Sequence, residues 1–196
     1  MNIDAENSYI NRSFPPKGGI KKTDLTILNT NARSLTPKIT ALTDCITEMN
    51  AQIAIVTETW FKEGRQLEDM KQDLSLGCGL GMTCLSREPN SNGVAYGGVA
   101  VLWRESLGTF RAFAVKNEEN FEVLSCVGSM RGHSRKIVVI GCYLPPNYVK
   151  ARGDRAVAFV GDVVAEAKRG SETRSSSLGG TSTSGGWRTR SWTLWT

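Results

Sequence analysis

Polar side chains stand where several apolar stretches of this sequence end. Asn29 and Asn31 close the first stretch, Glu58 follows the second, and Tyr143 closes a later one. A carboxylate fixed at the exit of a strand can bind a hard cation such as Mg²⁺, and a phenol can donate a hydrogen bond to a phosphate oxygen. Strands hold such side chains rigidly, while the loops beyond leave them open to a substrate. These residue types can therefore handle the charge of a metal ion or a phosphate.

The elements that must position these residues begin with a strand, a helix and a second strand. Residues 24–31 and 53–57 read as buried strands, and 37–50 reads as an amphipathic helix with apolar positions three and four residues apart. A βαβ unit brings both strand exits to the same edge of a sheet. Because side chains alternate along a strand, Asn29 and Asn31 share a face. We therefore expect both of them to converge with Glu58.

The rest of the chain predicts a second group of strands and a last helix. The signal is weak over 61–92, apart from a strand at 82–86. An antiparallel meander is predicted from four later segments: 97–103, 109–115, 121–127 and 136–143. An apolar stripe over 152–169 predicts a helix, which Gly170 should stop. The expected fold class is α/β, with two sheets packed face to face and helices outside.

In order and spacing, four short motifs resemble the endonuclease/exonuclease/phosphatase superfamily, and most closely the apurinic-type endonuclease domain of LINE-type (non-LTR) retrotransposon polyproteins. The motifs are Leu-Asn-Thr-Asn at 28–31, Ile-Val-Thr-Glu-Thr-Trp at 55–60, Gly-Gly-Val-Ala-Val-Leu at 97–102 and Cys-Tyr-Leu-Pro-Pro-Asn at 142–147. The resemblance covers residues 24–169. It implies a four-layer α/β sandwich like that of deoxyribonuclease I, incomplete at the C-terminus, and hydrolysis of phosphodiester bonds in DNA.

The same resemblance implies a role for each strand-end residue. Glu58 would bind Mg²⁺, which Mn²⁺ could replace. Asn29 would orient the catalytic carboxylate, Asn31 would help to hold the metal or its water, and Tyr143 would line the phosphate pocket. Each has a purely structural alternative: a surface glutamate opening a loop, amides capping a strand, and an aromatic ring packed on a sheet.

Two further residues imitate catalytic groups of the family without matching their positions. His133 lies in a polar turn, whereas the family's histidine follows an aspartate near the end of the domain. Gly161 and Asp162 resemble the start of the family's Gly-Asp-Phe-Asn motif, but they fall inside the predicted last helix. We interpret His133 as a loop residue and Asp162 as a solvent-facing helical residue.

The chain divides into a polar arm at 1–22, a partial catalytic domain at 23–170 and a tail at 171–196. The tail contains no Val, Ile or Phe but three tryptophans among Ser, Thr, Gly and Arg. Codons allowed for the tail can be chosen so that a reading two nucleotides later encodes Gly-Asp-Phe-Asn. We therefore hypothesise a frameshifted copy of an endonuclease gene. Without that motif and the terminal Asp-His pair, we expect little or no catalysis.

The composition indicates where in the cell the protein is found, but it says little about any reaction that the protein could catalyse. The 196 residues are 40% hydrophobic and 22% charged, as in a soluble globular protein, and the net charge of +5 permits a phosphate-bearing partner. Five cysteines and one histidine suit buried free thiols better than disulfides or a zinc site. No segment resembles a signal peptide or a membrane span. We expect an intracellular monomer, in the nucleus or cytoplasm, and no contact with membranes.

Two other functions are compatible with the sequence. A different phosphoesterase of the superfamily, such as a phosphoinositide phosphatase or a sphingomyelinase, would share the fold but would need histidine and aspartate residues that this chain lacks. The other alternative is a noncatalytic chain that binds nucleic acid weakly through Lys and Arg. Turnover of a phospholipid head group would identify the first, and a salt-dependent shift of a DNA probe without cleavage the second.

Overall fold

The computed structural model describes residues 25–86, 96–118, 121–131, 136–145 and 150–175. A short 3-10 helix at Thr36–Lys38 precedes α1. The other elements, in chain order, are β1 (Ile27–Asn31), α1 (Ile39–Glu48), β2 (Ile53–Thr57), α2 (Arg65–Cys78), β3 (Leu80–Leu85), β4 (Val99–Arg104), β5 (Gly108–Glu118), β6 (Phe121–Met130), β7 (Lys136–Tyr143) and α3 (Lys150–Ser175). The predicted arm, His133 and residues 176–196 of the predicted tail lie outside the described residues.

The first sheet has the strand order β1-β2-β4-β3. β1 and β2 are parallel neighbours joined through α1, which confirms the predicted βαβ unit, and β4 runs antiparallel to both β2 and β3. Helices α1 and α2 cover one face of this sheet. Their buried leucine and isoleucine side chains pack on alternate residues of β2 and β4 in a single core, which includes Leu42, Ile46, Leu67, Leu74, Ala54, Val56, Ala100 and Leu102.

The second sheet is an antiparallel meander of β5, β6 and β7. Its inner face packs on the uncovered face of the first sheet through a shared apolar core: Ile53, Val99, Val101, Phe110, Leu124, Cys126 and Val139. Its outer face is covered by α3, where Ala156 packs with Phe121 and Val123. The result is four layers, helices on sheet on sheet on helix, as the predicted α/β sandwich requires.

The predicted four-strand meander is wrong in its first member. β4 belongs to the first sheet, where it lies between β2 and β3. Its residues Val99, Ala100, Val101 and Leu102 are all 0% exposed, because one face meets the helices and the other meets the second sheet. A strand buried on both faces reads as a continuous apolar run, which cannot be distinguished from a meander strand by apolarity alone. The turn at 105–107 carries the chain from one sheet to the other.

The predicted helices also differ from the observed ones. α2 lies in the region where the sequence pattern is weak. The pattern is weak because Leu67 and Leu74 are the buried residues of this helix and the rest of its surface is largely polar. It ends at Gly79, whose φ of 60° is the left-handed conformation typical of a helix end. Gly170, by contrast, does not stop α3, which continues to Ser175. A glycine inside a helix is tolerated at a cost of about 1 kcal/mol.

The state of the cysteines and the character of the helices can be compared with the prediction of free thiols and no membrane span. All five cysteines are free thiols; Cys126 is buried, whereas Cys78 at the end of α2 is exposed. Burial raises the pKa of the Cys126 thiol to about 12. In the part of the chain that the structure describes, no helix combines the length and the apolar character needed to cross a membrane.

Candidate functional site

The segment that follows β2 carries Glu58 in an unusual backbone conformation. Glu58 and Trp60 have positive φ angles of 52° and 54°, while Thr59 between them is completely buried. Residues other than glycine rarely adopt positive φ, and such strain persists only where the surroundings fix the backbone. The segment must therefore be held from both sides.

The loop after β1 holds one side of this segment. The backbone N–H groups of Ala32, Ser34 and Leu35 donate to the carbonyl oxygens of Thr57, Glu58 and Thr59, each at 2.9 Å. Lys38 secures the same loop, because its Nζ donates to the carbonyl oxygens of Ala32 at 2.6 Å and Arg33 at 3.1 Å. The parallel pairing of β1 and β2 thus continues beyond the strands and fixes the backbone at Glu58.

The turn before β4 holds the other side. Thr59 N donates to the carbonyl oxygen of Gly98 at 3.3 Å, and Trp60 N donates to that of Gly97 at 2.9 Å. Both glycines have positive φ, 91° and 87°, which suits glycine and few other residues. The Gly-Gly pair of the third sequence motif is therefore a support for the Glu58 segment.

The carboxylate of Glu58 lies where the two sheets meet. Its Oε1 accepts a hydrogen bond from Nδ2 of Asn31 at 2.8 Å and another from the hydroxyl of Tyr143 at 3.0 Å. Asn31 ends β1 of the first sheet, and Tyr143 ends β7 of the second. Three of the four strand-end residues named from the sequence are thus in direct contact, even though Tyr143 is distant from Glu58 in sequence.

Asn29 is placed on the same face of β1 as Asn31, as the strand period predicts, and its side chain is exposed. Of the two amides, that of Asn31 donates to the Glu58 carboxylate. The Oδ1 of Asn31 accepts from the backbone N–H of Arg33 at 3.2 Å, which fixes the amide plane. The role of Asn29 stays a prediction.

A divalent cation fits this edge as a site with one carboxylate ligand. Both hydrogen bonds that the described residues donate to the Glu58 carboxylate reach Oε1, so Oε2 is the oxygen that a cation would take. Mg²⁺ is commonly held by one or two carboxylates together with waters and substrate phosphate oxygens. Among the described residues, no three His, Cys, Asp or Glu side chains cluster into a fuller cage. The chemistry of the donor set therefore suits a weakly held ion completed by phosphate.

Sequence reasoning gave no site role to Glu122, which lies next to this region. Glu122 of β6 is completely buried, and its Oε2 accepts a hydrogen bond from Gly98 N at 2.6 Å. In the sequence, Glu122 could have been noticed as the one acidic residue inside the apolar run of 121–127.

Beside the site, the rings of Trp60 and Tyr96 meet edge to face, with 5.0 Å between the ring centroids, and Tyr96 is 54% exposed.

The chain is thus a four-layer α/β sandwich whose two sheets share a polar edge around one carboxylate. No protein-family model and no curated protein matches the sequence. One similar solved structure is the endonuclease domain of TRAS1, a telomere-specific non-LTR retrotransposon, with 12% sequence identity and a TM-score of 0.47. A second is the 3′ phosphatase NExo from Neisseria bound to product DNA hairpin, with 16% identity and a TM-score of 0.39. A third is an endonuclease/exonuclease/phosphatase family protein from Leptotrichia buccalis C-1013-b, with 15% identity and a TM-score of 0.45.

The matched regions cover more of this chain than of those proteins. They include 72%, 60% and 63% of this chain in the same order, but 54%, 40% and 57% of the other chains. The chain thus spans about half the length of the solved proteins that it resembles.

Proposed function

We propose that the polar edge around Glu58 is the metal-binding and phosphate-binding side of a Mg²⁺-dependent phosphodiesterase site, in a DNA endonuclease-like domain of retrotransposon origin. One observation carries the proposal: Asn31 from one sheet and Tyr143 from the other both donate to a single oxygen of the Glu58 carboxylate. The order of the four sequence motifs supports the same interpretation. A surface glutamate with no function would not need donors from two sheets.

Each side chain then has a definite task. Glu58 would hold Mg²⁺, while Asn31 and Tyr143 keep its carboxylate in place. The bound cation would supply positive charge for the phosphate group of a substrate. The single hydroxyl proton of Tyr143 would be donated to a phosphate oxygen in place of Glu58 Oε1 when a substrate binds, and Asn29, exposed on the same face of β1 as Asn31, supplies a further amide. DNA is the proposed partner, in keeping with the net charge of +5.

The metal is tested by Mn²⁺ binding to the 196-residue chain, followed through the relaxation of water protons. We expect weak binding by the wild type and its loss in Glu58→Gln, which keeps the shape of the side chain but removes its charge. Glu63→Gln is the matched control, because Glu63 is an exposed glutamate outside the site. Equal Mn²⁺ binding by the wild type and Glu58→Gln would remove Glu58 from the site and overturn the proposal.

Binding and cutting are separate questions for this chain. The sequence contains no Gly-Asp-Phe-Asn motif, and in the described part of the chain no three His, Cys, Asp or Glu side chains cluster as a metal site. We therefore propose that the 196-residue chain binds DNA weakly without cutting it. Supercoiled plasmid should remain intact in Mg²⁺, while a labelled duplex shifts in a salt-dependent manner. Nicking that is lost in Glu58→Ala would contradict the proposed inactivity.

A further inference from the structure

Glu122 is a carboxyl group in the apolar interior between the two sheets. Its exposed fraction is 0%, and it lies on the face of β6 that also carries Leu124 and Cys126 of the core between the sheets. Removing a carboxyl group from water is costly unless hydrogen bonds replace the lost solvation. An apolar side chain would serve packing better at this position, so the carboxyl group calls for another explanation.

The contacts of Glu122 lead to the turn before β4. Its Oε2 accepts the N–H of Gly98 at 2.6 Å, a short hydrogen bond. A Cβ atom at Gly97 would collide with the Glu122 carboxyl group, so the glycine allows the turn to lie directly on it. Glu122 therefore fixes both the position and the orientation of the Gly97-Gly98 turn.

The same turn supports the segment that carries Glu58. The carbonyl oxygens of Gly97 and Gly98 accept the N–H groups of Trp60 and Thr59, on the C-terminal side of Glu58. A Cβ atom at Gly98 would collide with Oγ1 of Thr59, which shows how closely the two segments pack. Hydrogen bonds thus run from the buried carboxyl group, through the glycine turn, to the strained backbone beside Glu58.

We infer that Glu122 is a positioning residue: through the Gly97-Gly98 turn it holds Thr59 and Trp60, and thereby keeps the Glu58 carboxylate in the geometry that binds a divalent cation. The statement about the cation rests on the proposed function, whereas the statement about the backbone does not. Positive φ at Glu58 and Trp60 persists only where the surroundings impose it. Loss of the buried acceptor should therefore loosen this segment before it affects the fold.

The backbone part is tested without metal, by amide hydrogen exchange of the 196-residue chain in Glu122→Leu, Glu122→Gln and Ser125→Ala. Leucine fills similar space without an acceptor, and glutamine retains an acceptor oxygen. Ser125 is an equally buried polar residue of β6 whose side chain points to the opposite face, so its alanine variant is the matched control. Exchange at Thr59 and Trp60 is measured relative to Val101 in β4, which corrects for changes in global stability.

We expect the Thr59 and Trp60 amides to exchange roughly tenfold faster or more in Glu122→Leu, since the N–H of Gly98 loses its buried acceptor. Glu122→Gln should show a smaller increase, and Ser125→Ala none. Unchanged relative exchange in Glu122→Leu would overturn the inference. So would equal acceleration in Ser125→Ala, which would indicate a general effect of altering β6.

The metal part uses Mn²⁺ titration of the same folded proteins. Several-fold weaker binding is expected in Glu122→Leu, with partial retention in Glu122→Gln. If the wild type binds Mn²⁺ through Glu58 and all three variants bind as tightly, the positioning role toward the cation is refuted while the proposed function stands. If the wild type does not bind Mn²⁺, the proposed function fails, and the exchange data still decide whether Glu122 holds the segment.

Discussion

Gly141 of β7 allows the two sheets to approach each other near the site. A Cβ atom at this position would lie 2.7 Å from Cγ1 of Val99 and 3.0 Å from Cγ2 of Ile55, whereas ordinary contacts of this kind begin at 3.4 Å. In Gly141→Ala the sheets must separate, or these side chains must leave their preferred rotamers. Such overpacking costs about 1 to 3 kcal/mol of unfolding free energy. Tyr143 lies two residues further along the same face, so the change should also weaken its contact with Glu58.

The matched control is the same substitution at Gly161, an exposed position of α3. Nothing lies within 4 Å of a Cβ atom there, so Gly161→Ala adds only helix propensity. It should stabilise the protein by up to about 1 kcal/mol. Urea unfolding followed by circular dichroism should therefore show midpoints displaced in opposite directions. A Gly141→Ala midpoint equal to or above that of the wild type would refute the close packing of the sheets at this site.

Three further outcomes are expected. Tyr143→Phe removes the donor to Glu58 Oε1 and should lower the unfolding free energy by about 1 kcal/mol in urea titrations, and an unchanged value would show that the bond contributes nothing. Because burial raises the pKa of Cys126 from 9.0 to about 12, the stability due to its protonated thiol is present below pH 9 and is lost as the pH rises toward 12. The unfolding free energy obtained from urea titrations should fall over that range by up to about 1.4 kcal/mol per pH unit, and less steeply in Cys126→Val; parallel curves would contradict the assignment. Finally, the encoding locus should regain Gly-Asp-Phe-Asn after a one- or two-nucleotide correction near the codons of residues 168–171, and a locus in which no such correction restores the motif would remove the frameshift hypothesis.

The part of the site on the first sheet could be predicted from the sequence, because it is formed by two strands and a helix that are consecutive in the chain. Strong periodicity identified β1, α1 and β2, and the geometry of a βαβ unit then brought Asn31 and Glu58 to one edge. The contact of Tyr143 with Glu58 depends instead on how two sheets pack face to face. Periodicity specifies which face of β7 is buried but not which residues of another sheet lie opposite, so the pattern did not predict this contact.

Elements with weak or ambiguous patterns were the ones misplaced or missed. α2 presents few buried apolar residues, and the apolar run at the start of β4 carries no sign of the sheet to which the strand belongs. The interactions that hold the backbone at Glu58 were missed for a related reason. Glu122 and the Gly97-Gly98 turn act through hydrogen bonds between three segments that are distant in sequence. An acidic residue inside an apolar strand was visible in the sequence, but its partner was not.

Anomalous scattering from a bound Mn²⁺ ion would locate the metal relative to Glu58 directly. Crystals of the 196-residue chain soaked in Mn²⁺ should show an anomalous difference peak at coordination distance, about 2.1 to 2.3 Å, from Oε2 of Glu58, with Oε1 still bonded to Asn31 and Tyr143. The peak should be absent from Glu58→Gln crystals soaked in the same way. Mn²⁺ found only elsewhere, or a peak that persists in Glu58→Gln, would contradict the central claim that this carboxylate is the metal-binding group of the site.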